Sequence, residues 1–155
     1  VLVGCALKMG AAVALAPETD CQLFYDFGIQ LGLAFQLQDD YLDAFGNPET
    51  FGKQVGGDIL ENKKTILYHL ALKKGTQQQQ YRLNELLNTG DEIAANQKIK
   101  EAKALFEVTE ARSETRDLIY HYTQKADEKL GAISISEEQK QKFVAVKQWL
   151  MNRDH

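Results

Sequence analysis

At 155 residues the chain is long enough for a hydrophobic core, and its net charge of −4 gives no cationic surplus for a nucleic-acid backbone. Hydrophobic residues make up 44% and charged residues 26%, the balance of a soluble globular domain, with both signs interspersed. The apolar opening VLVGCALKMGAAVALA contains Lys8 and two glycines and stops at Pro17, so it reads as a buried helix and not as a membrane span. It also lacks the basic leader of a signal peptide.

Residues 1–16 are the first predicted helix. Thr19 or Asp20 can cap a second, long and mostly apolar, running to about Phe45. Gly28 and Gly32 lie four apart on one face of it, where a neighbouring helix can come close. Cys5 and Cys21 form no CxxC pair, so they are expected to be reduced, buried thiols in a cytoplasmic protein. The stretch GNPETFGKQVGGD has neither helical nor alternating period and reads as a loop long enough to suspect binding.

Helical pattern resumes at Glu61 or Asn62 and runs to Gly75. Gln77–Gln80 is predicted as a solvated turn into a small helix ending near Gly90. Asp91 caps a helix to about Ala111, and Ser113 caps another to Leu130, with Gly131 as its stop. Ser136 and Gln139 make a capping box for a last helix reaching Leu150. In that helix Phe143, Val146, Trp149 and Leu150 read as a core stripe. No run of β-branched alternation appears, so residues 1–155 are expected to form a single all-α region.

The chemistry concentrates where the second helix ends, in GLAFQLQDDYLDAFGN. A helix C-terminus already carries partial negative charge, which makes Asp39, Asp40 and Asp43 unfavourable there. Asp39 and Asp43 are also a like-charged i,i+4 pair. Gln36, Asp39, Asp40 and Asp43 share one side of a helix, and hard oxygen donors grouped this way suit Mg²⁺. Lys53 lies in the glycine loop, while Lys63 and Lys64 open the next helix, adding charge suited to phosphate at its N-terminus. Taken together, acids, glycine loop and lysines suggest a magnesium–diphosphate site. His69 and His121 have no partner at catalytic or metal spacing, Tyr120 and Tyr122 read as core residues like the stripe of the last helix, and Asp58 is expected to order the loop or cap the following helix.

At these residues, GLAFQLQDDYLDAFGNPETFGKQVGGDILENKKT resembles the second aspartate-rich region of the trans-prenyltransferases, the polyprenyl, farnesyl and geranylgeranyl diphosphate synthases. The Gly-x-Ala-Phe-Gln run, DDxxD, the Gly-Lys loop, the Gly-x-Asp and the final Lys-Thr are all present. VLVGCALKMGA, EARSETRDLIYHYTQKADEKL and KQWLMNRDH are similar to the helices that precede and close this region. The resemblance implies the C-terminal half of an isoprenoid-synthase-type helical bundle. It implies that Asp39 binds Mg²⁺ directly, with Asp40 and Asp43 on the metal's waters. Lys53 and Lys63 would neutralise the departing diphosphate, while Phe35 and Gln36 would face the reacting allylic carbons. Arg153 either reaches the diphosphate, as the basic tail of the family implies, or belongs to a solvated terminus.

The implied reaction is condensation of an allylic diphosphate with isopentenyl diphosphate. The family's first aspartate-rich motif has no counterpart in this sequence, so the chain is expected to be a fragment that does not turn over alone. The resemblance also implies a homodimer, since the apolar N-terminal helix would otherwise be left exposed in a half-domain. The alternatives are a non-catalytic partner subunit of a heteromeric synthase and a helical interaction module whose acids are decorative.

Overall fold

The computed structural model describes residues 1–47, 55–88 and 93–152. Among them are eight helices and no strand, as the periodicity predicts. They are α1 (Leu2–Val13), α2 (Glu18–Phe45), α3 (Gly57–Leu60), α4 (Ile66–Lys74), α5 (Gln77–Leu86), α6 (Ala95–Val108), α7 (Ala111–Ala132) and α8 (Glu137–Met151). The chain divides into two compact units, Val1–Gln36 with Leu118–Arg153, and Leu37–Asp117.

In the first unit, Phe24, Phe27 and Leu31 of α2 bury against Ala126 and Leu130 of α7, joined by Cys21 and Ile133. The three-four spacing of these apolar residues makes the buried stripe. Phe143 of α8 meets Phe24 and Phe27 with ring centroids 5.2 and 6.1 Å apart. A Cβ at Gly28 would fall 2.7 Å from the Gly4 Cα, so the backbones of α1 and α2 meet there. At Gly32 it would find Val3 at 3.8 Å, ordinary contact, so the close approach predicted for both glycines belongs to Gly28.

Three expectations for this unit are corrected. Helix α2 begins at Glu18, and Asp20 is buried with its carboxylate accepting the Ser134 amide at 3.2 Å. Cys21 is buried, but Cys5 is exposed. Trp149 is 76% exposed and Val146 also faces outward, so the α8 stripe reduces to Phe143 and Leu150, and Tyr120 of α7, expected in the core with it, is exposed as well. The Ser136–Gln139 capping box is present as predicted. Leu2, Met9 and Val13 of α1, with Leu15 after it, are exposed.

In the second unit α3 packs on α6, α4 on α5 and α6, and α5 on α6. Its buried residues include Leu67, Leu70 and Ala71 of α4, Leu83 and Leu86 of α5, and Ala102 and Phe106 of α6. Residues 77–80 are the first turn of α5 itself, started by a capping box between Thr76 and Gln79. The helix expected from Glu61 or Asn62 starts instead at Ile66, because Asn62 sits in the left-handed region with φ 58° and ends the short α3 segment. Asn is one of the few side chains that tolerates that conformation. Ser113 lies inside α7, with its hydroxyl donating to the Glu110 carbonyl at 3.0 Å. Gly131 also lies inside α7, and Asp91 falls outside the described residues.

Candidate functional site

The acidic end of α2 holds the chain that returns after the glycine loop. Asp43 Oδ2 accepts the Asp58 amide at 2.9 Å, and the Asp43 carbonyl accepts the Gly56 amide at 2.6 Å. Asp40 Oδ2 accepts the amide of Ile66, the first residue of α4, at 3.4 Å. Two of the three aspartates therefore meet N–H groups in the opening turns of α3 and α4, where unpaired amides and the helix dipole favour an anion.

This return needs glycine. Gly56 has φ 90°, and a Cβ there would lie 2.8 Å from the Ile99 side chain of α6. A Cβ on Gly57 would lie 3.2 Å from Asp43 Oδ1. The result brings Asp58 beside Asp43 and carries Lys63 with it. Lys63 Nζ lies 2.6 Å from Asp58 Oδ1 and 2.8 Å from Glu61 Oε2. Those two bonds, Asp58 first, push the lysine well above its usual range and keep it cationic.

Burial pushes the Asp43 carboxyl above the usual carboxylate range. The Asp58 amide and the Lys63 charge pull it back, while the neighbouring Asp58 and Asp39 carboxylates push it further up. Asp39 is half-buried, one turn before Asp43. Among the described residues no group of three or more His, Cys, Asp or Glu lies close enough together to hold a metal ion. Lys53 and Arg153 fall outside the described residues. Lys64 lies over the Tyr68 ring, 5.6 Å from its centroid. Phe35 and Gln36 belong to the first unit, where they line an open groove of about 680 Å³ with Val3, Ile29, Gly32 and Leu33.

Sequence reasoning missed how the end of α2 is compensated. Its last turn contains no basic residue, yet two cations from other helices grip Phe45. The Arg112 guanidinium lies 4.5 Å from the ring centroid, and Lys103 Nζ lies 5.3 Å from it. Arg112 also donates to the Tyr41 hydroxyl at 3.3 Å. Positive charge at a helix C-terminus is favourable, and it offsets the aspartates along the same turns. No spacing within α2 could have revealed donors more than 50 residues further along the chain.

The family model for polyprenyl synthetase matches residues 1–106. A short chain isoprenyl diphosphate synthase of Methanothermobacter thermautotrophicus is 30% identical over 154 residues, which is 99% of this chain and 46% of that protein. A solved geranylgeranyl pyrophosphate synthase superposes with a TM-score of 0.88 at 46% identity, covering 99% of this chain and 47% of that one. Polyprenyl synthase from Caulobacter crescentus CB15, complexed with calcium and isoprenyl diphosphate, gives a TM-score of 0.81 at 28% identity, over 98% of this chain and 46% of that one. The fold is the all-α isoprenoid synthase fold, and the chain belongs to the polyprenyl synthetase family. It spans about half the length of the relatives it matches.

Proposed function

We propose that this chain carries the second aspartate-rich face of a trans-isoprenyl diphosphate synthase, a Mg²⁺-dependent prenyltransferase joining an allylic diphosphate to isopentenyl diphosphate. The observation that carries the reading is the Asp43–Asp58–Lys63 juxtaposition, in which acids and a cation meet at the end of one apolar helix. The similarity to a synthase solved with calcium and isoprenyl diphosphate supports the same ligand chemistry here.

The donor set fits the metal. Mg²⁺ takes one or two carboxylates and keeps waters and phosphate oxygens in its other positions, so three converging acids are not required. A carboxylate offers about four lone-pair sites, and one amide occupies one of them. Asp40 and Asp43 can thus hold α4 and α3 while accepting from metal-bound water. Asp39 would bind the ion, and the mutual repulsion of Asp39, Asp43 and Asp58 favours a cation among them. When bound, Mg²⁺ supplies charge neutralisation on the departing diphosphate.

Lys63 donates to a diphosphate oxygen in exchange for its exposed pairing with Glu61, and Lys53 adds a second cation. Phe35 offers a π-face and Gln36 an amide oxygen to a developing allylic cation. A homodimer and a cytoplasmic setting belong to the same reading, the exposed apolar face of α1 being a surface that another chain can cover. No helix among the described residues is long and apolar enough to cross a membrane.

A second reading, a helical module whose aspartates are purely structural, draws on the amides that Asp40 and Asp43 accept. Thermal unfolding of the chain with Mg²⁺ and inorganic pyrophosphate, alone and together, separates the two. The synthase reading expects stabilisation only when both are present, and its loss in Asp39→Ala. No shift in the unmutated chain would overturn it in favour of the structural module.

A further inference from the structure

Lys98 is 4% exposed, on the stripe of α6 that it shares with Ala102 and Phe106 at four-residue spacing. A buried ammonium is costly, and Leu or Met would fill the same space without that cost. Its Nζ donates to Asn62 Oδ1 at 2.6 Å. Asn62 is the left-handed residue that ends α3, one position before Lys63. The next residue of α6, Ile99, is the side chain against which Gly56 closes at the other end of α3. Lys98 and Ile99 thus clasp both ends of the segment 56–62, whose middle contributes the Asp58 amide to Asp43 and the Asp58 carboxylate to Lys63.

We propose that Lys98 is a positioning residue: through Asn62 it sets the backbone turn that orients Lys63 and Asp58 toward the acidic end of α2. It touches no reacting atom. The inference deepens the diphosphate-site reading above and rests on it. A lysine serves here because its ammonium reaches a side-chain oxygen from inside the core, at the left-handed residue where the chain leaves α3. Partners standing one bond behind a binding group are worth roughly ten- to hundredfold in affinity when removed.

The test uses the whole chain with Lys98→Met, Asn62→Gly and both together. Glycine accepts the positive φ of position 62 but removes the acceptor, so Asn62→Gly carries the test if Lys98→Met does not fold. Two quantities are measured below the melting transition of every variant. The first is amide exchange over residues 57–63 without ligand, expected to rise about tenfold in each single variant while residues 66–74 stay protected. The second is affinity for inorganic pyrophosphate in the presence of Mg²⁺, expected to weaken roughly ten- to hundredfold in each single variant and no further in the double.

Unchanged exchange over 57–63 overturns the clasp itself. Faster exchange with unchanged pyrophosphate affinity overturns the positioning role and reduces Lys98 to packing. Independent, additive losses in the double variant overturn the route through Asn62. Failure of the unmutated chain to bind pyrophosphate overturns the site reading, and with it the role assigned to Lys98.

Discussion

The Asp43 carboxylate accepts the main-chain amide of Asp58 at 2.9 Å, so the last acid of the DDxxD run holds the segment that carries Lys63. In the function proposed above, one residue therefore faces two demands, as structural acceptor and as part of a cation site. The two are separable by substitution. Asp43→Ala removes the acceptor and should cost about 1 kcal/mol, the usual value of a lost helix cap. Asp43→Asn keeps an amide oxygen for the Asp58 N–H and removes the charge repelled by Asp39 and Asp58, so the metal-free chain should be at least as stable as the unmutated one. Urea unfolding with chelator present measures both. Equal losses in the two variants would show that the charge, and not the acceptor, matters. Both should lose the response to Mg²⁺ with pyrophosphate.

Gly56 is the backbone counterpart. With φ 90° and Ile99 where a Cβ would go, Gly56→Ala meets a conformational and a steric cost together. The left-handed conformation alone is worth roughly 1–2 kcal/mol against a side chain. Ile99→Ala in the Gly56→Ala background should recover only the steric part. Full recovery of the urea midpoint in the double variant would show that φ costs nothing there.

The helices were legible because their buried stripes follow the three-four period: Phe24, Phe27 and Leu31 announce α2 directly. The Ser136–Gln139 box was legible for the same local reason, while its twin at Thr76 and Gln79 was hidden by a glutamine run that looks like solvated chain. The acids, the glycines and Lys63 were legible as a set, since one contiguous stretch holds them all. Their arrangement was not, because it is made by amides. Nothing in DDxxD says that Asp43 meets the nitrogen of residue 58, or that Asp40 meets that of residue 66. Lys98 left a trace that could have been read, a charge on the apolar stripe of an otherwise amphipathic helix. Trp149 misled because an aromatic at helical spacing normally marks the buried face, whereas here it is exposed.

Arg82 and Glu101 tie α5 to α6, with Arg82 Nε donating to Glu101 Oε2 at 3.1 Å. Hydrogen bonds from Gln97 and then from Arg82 hold the Glu101 carboxyl below its ordinary value of 4.5. A carboxyl lowered on folding contributes stability above that ordinary value, and the contribution is lost as pH falls through the lowered one. Arg82→Met should therefore be less stable than the unmutated chain at pH 7, by the small amount an exposed pair allows. The difference should shrink as pH falls below 4.5. Unfolding midpoints taken across that range decide it, and a difference independent of pH would assign the effect of Arg82 to packing.

Gly28 and Gly32 look equivalent in the sequence and should behave oppositely. At Gly28 an added methyl would meet the Gly4 backbone, N at 2.8 Å and Cα at 2.7 Å, and backbone cannot step aside as a side-chain tip can. Gly28→Ala must push α1 off α2, and overpacking of this kind costs roughly 1–3 kcal/mol. At Gly32 the same methyl finds Val3 at 3.8 Å, a normal contact, inside a continuous helix. There alanine also gains helix propensity, worth up to about 1 kcal/mol over glycine. Gly32→Ala should leave the melting temperature unchanged or raise it, while Gly28→Ala should lower it by several degrees. Similar losses at both positions would mean that α1 sits as close to Gly32 as to Gly28. Because Gly32 lines the groove beside Phe35 and Gln36, Gly32→Ala also gives a stable background for probing that groove.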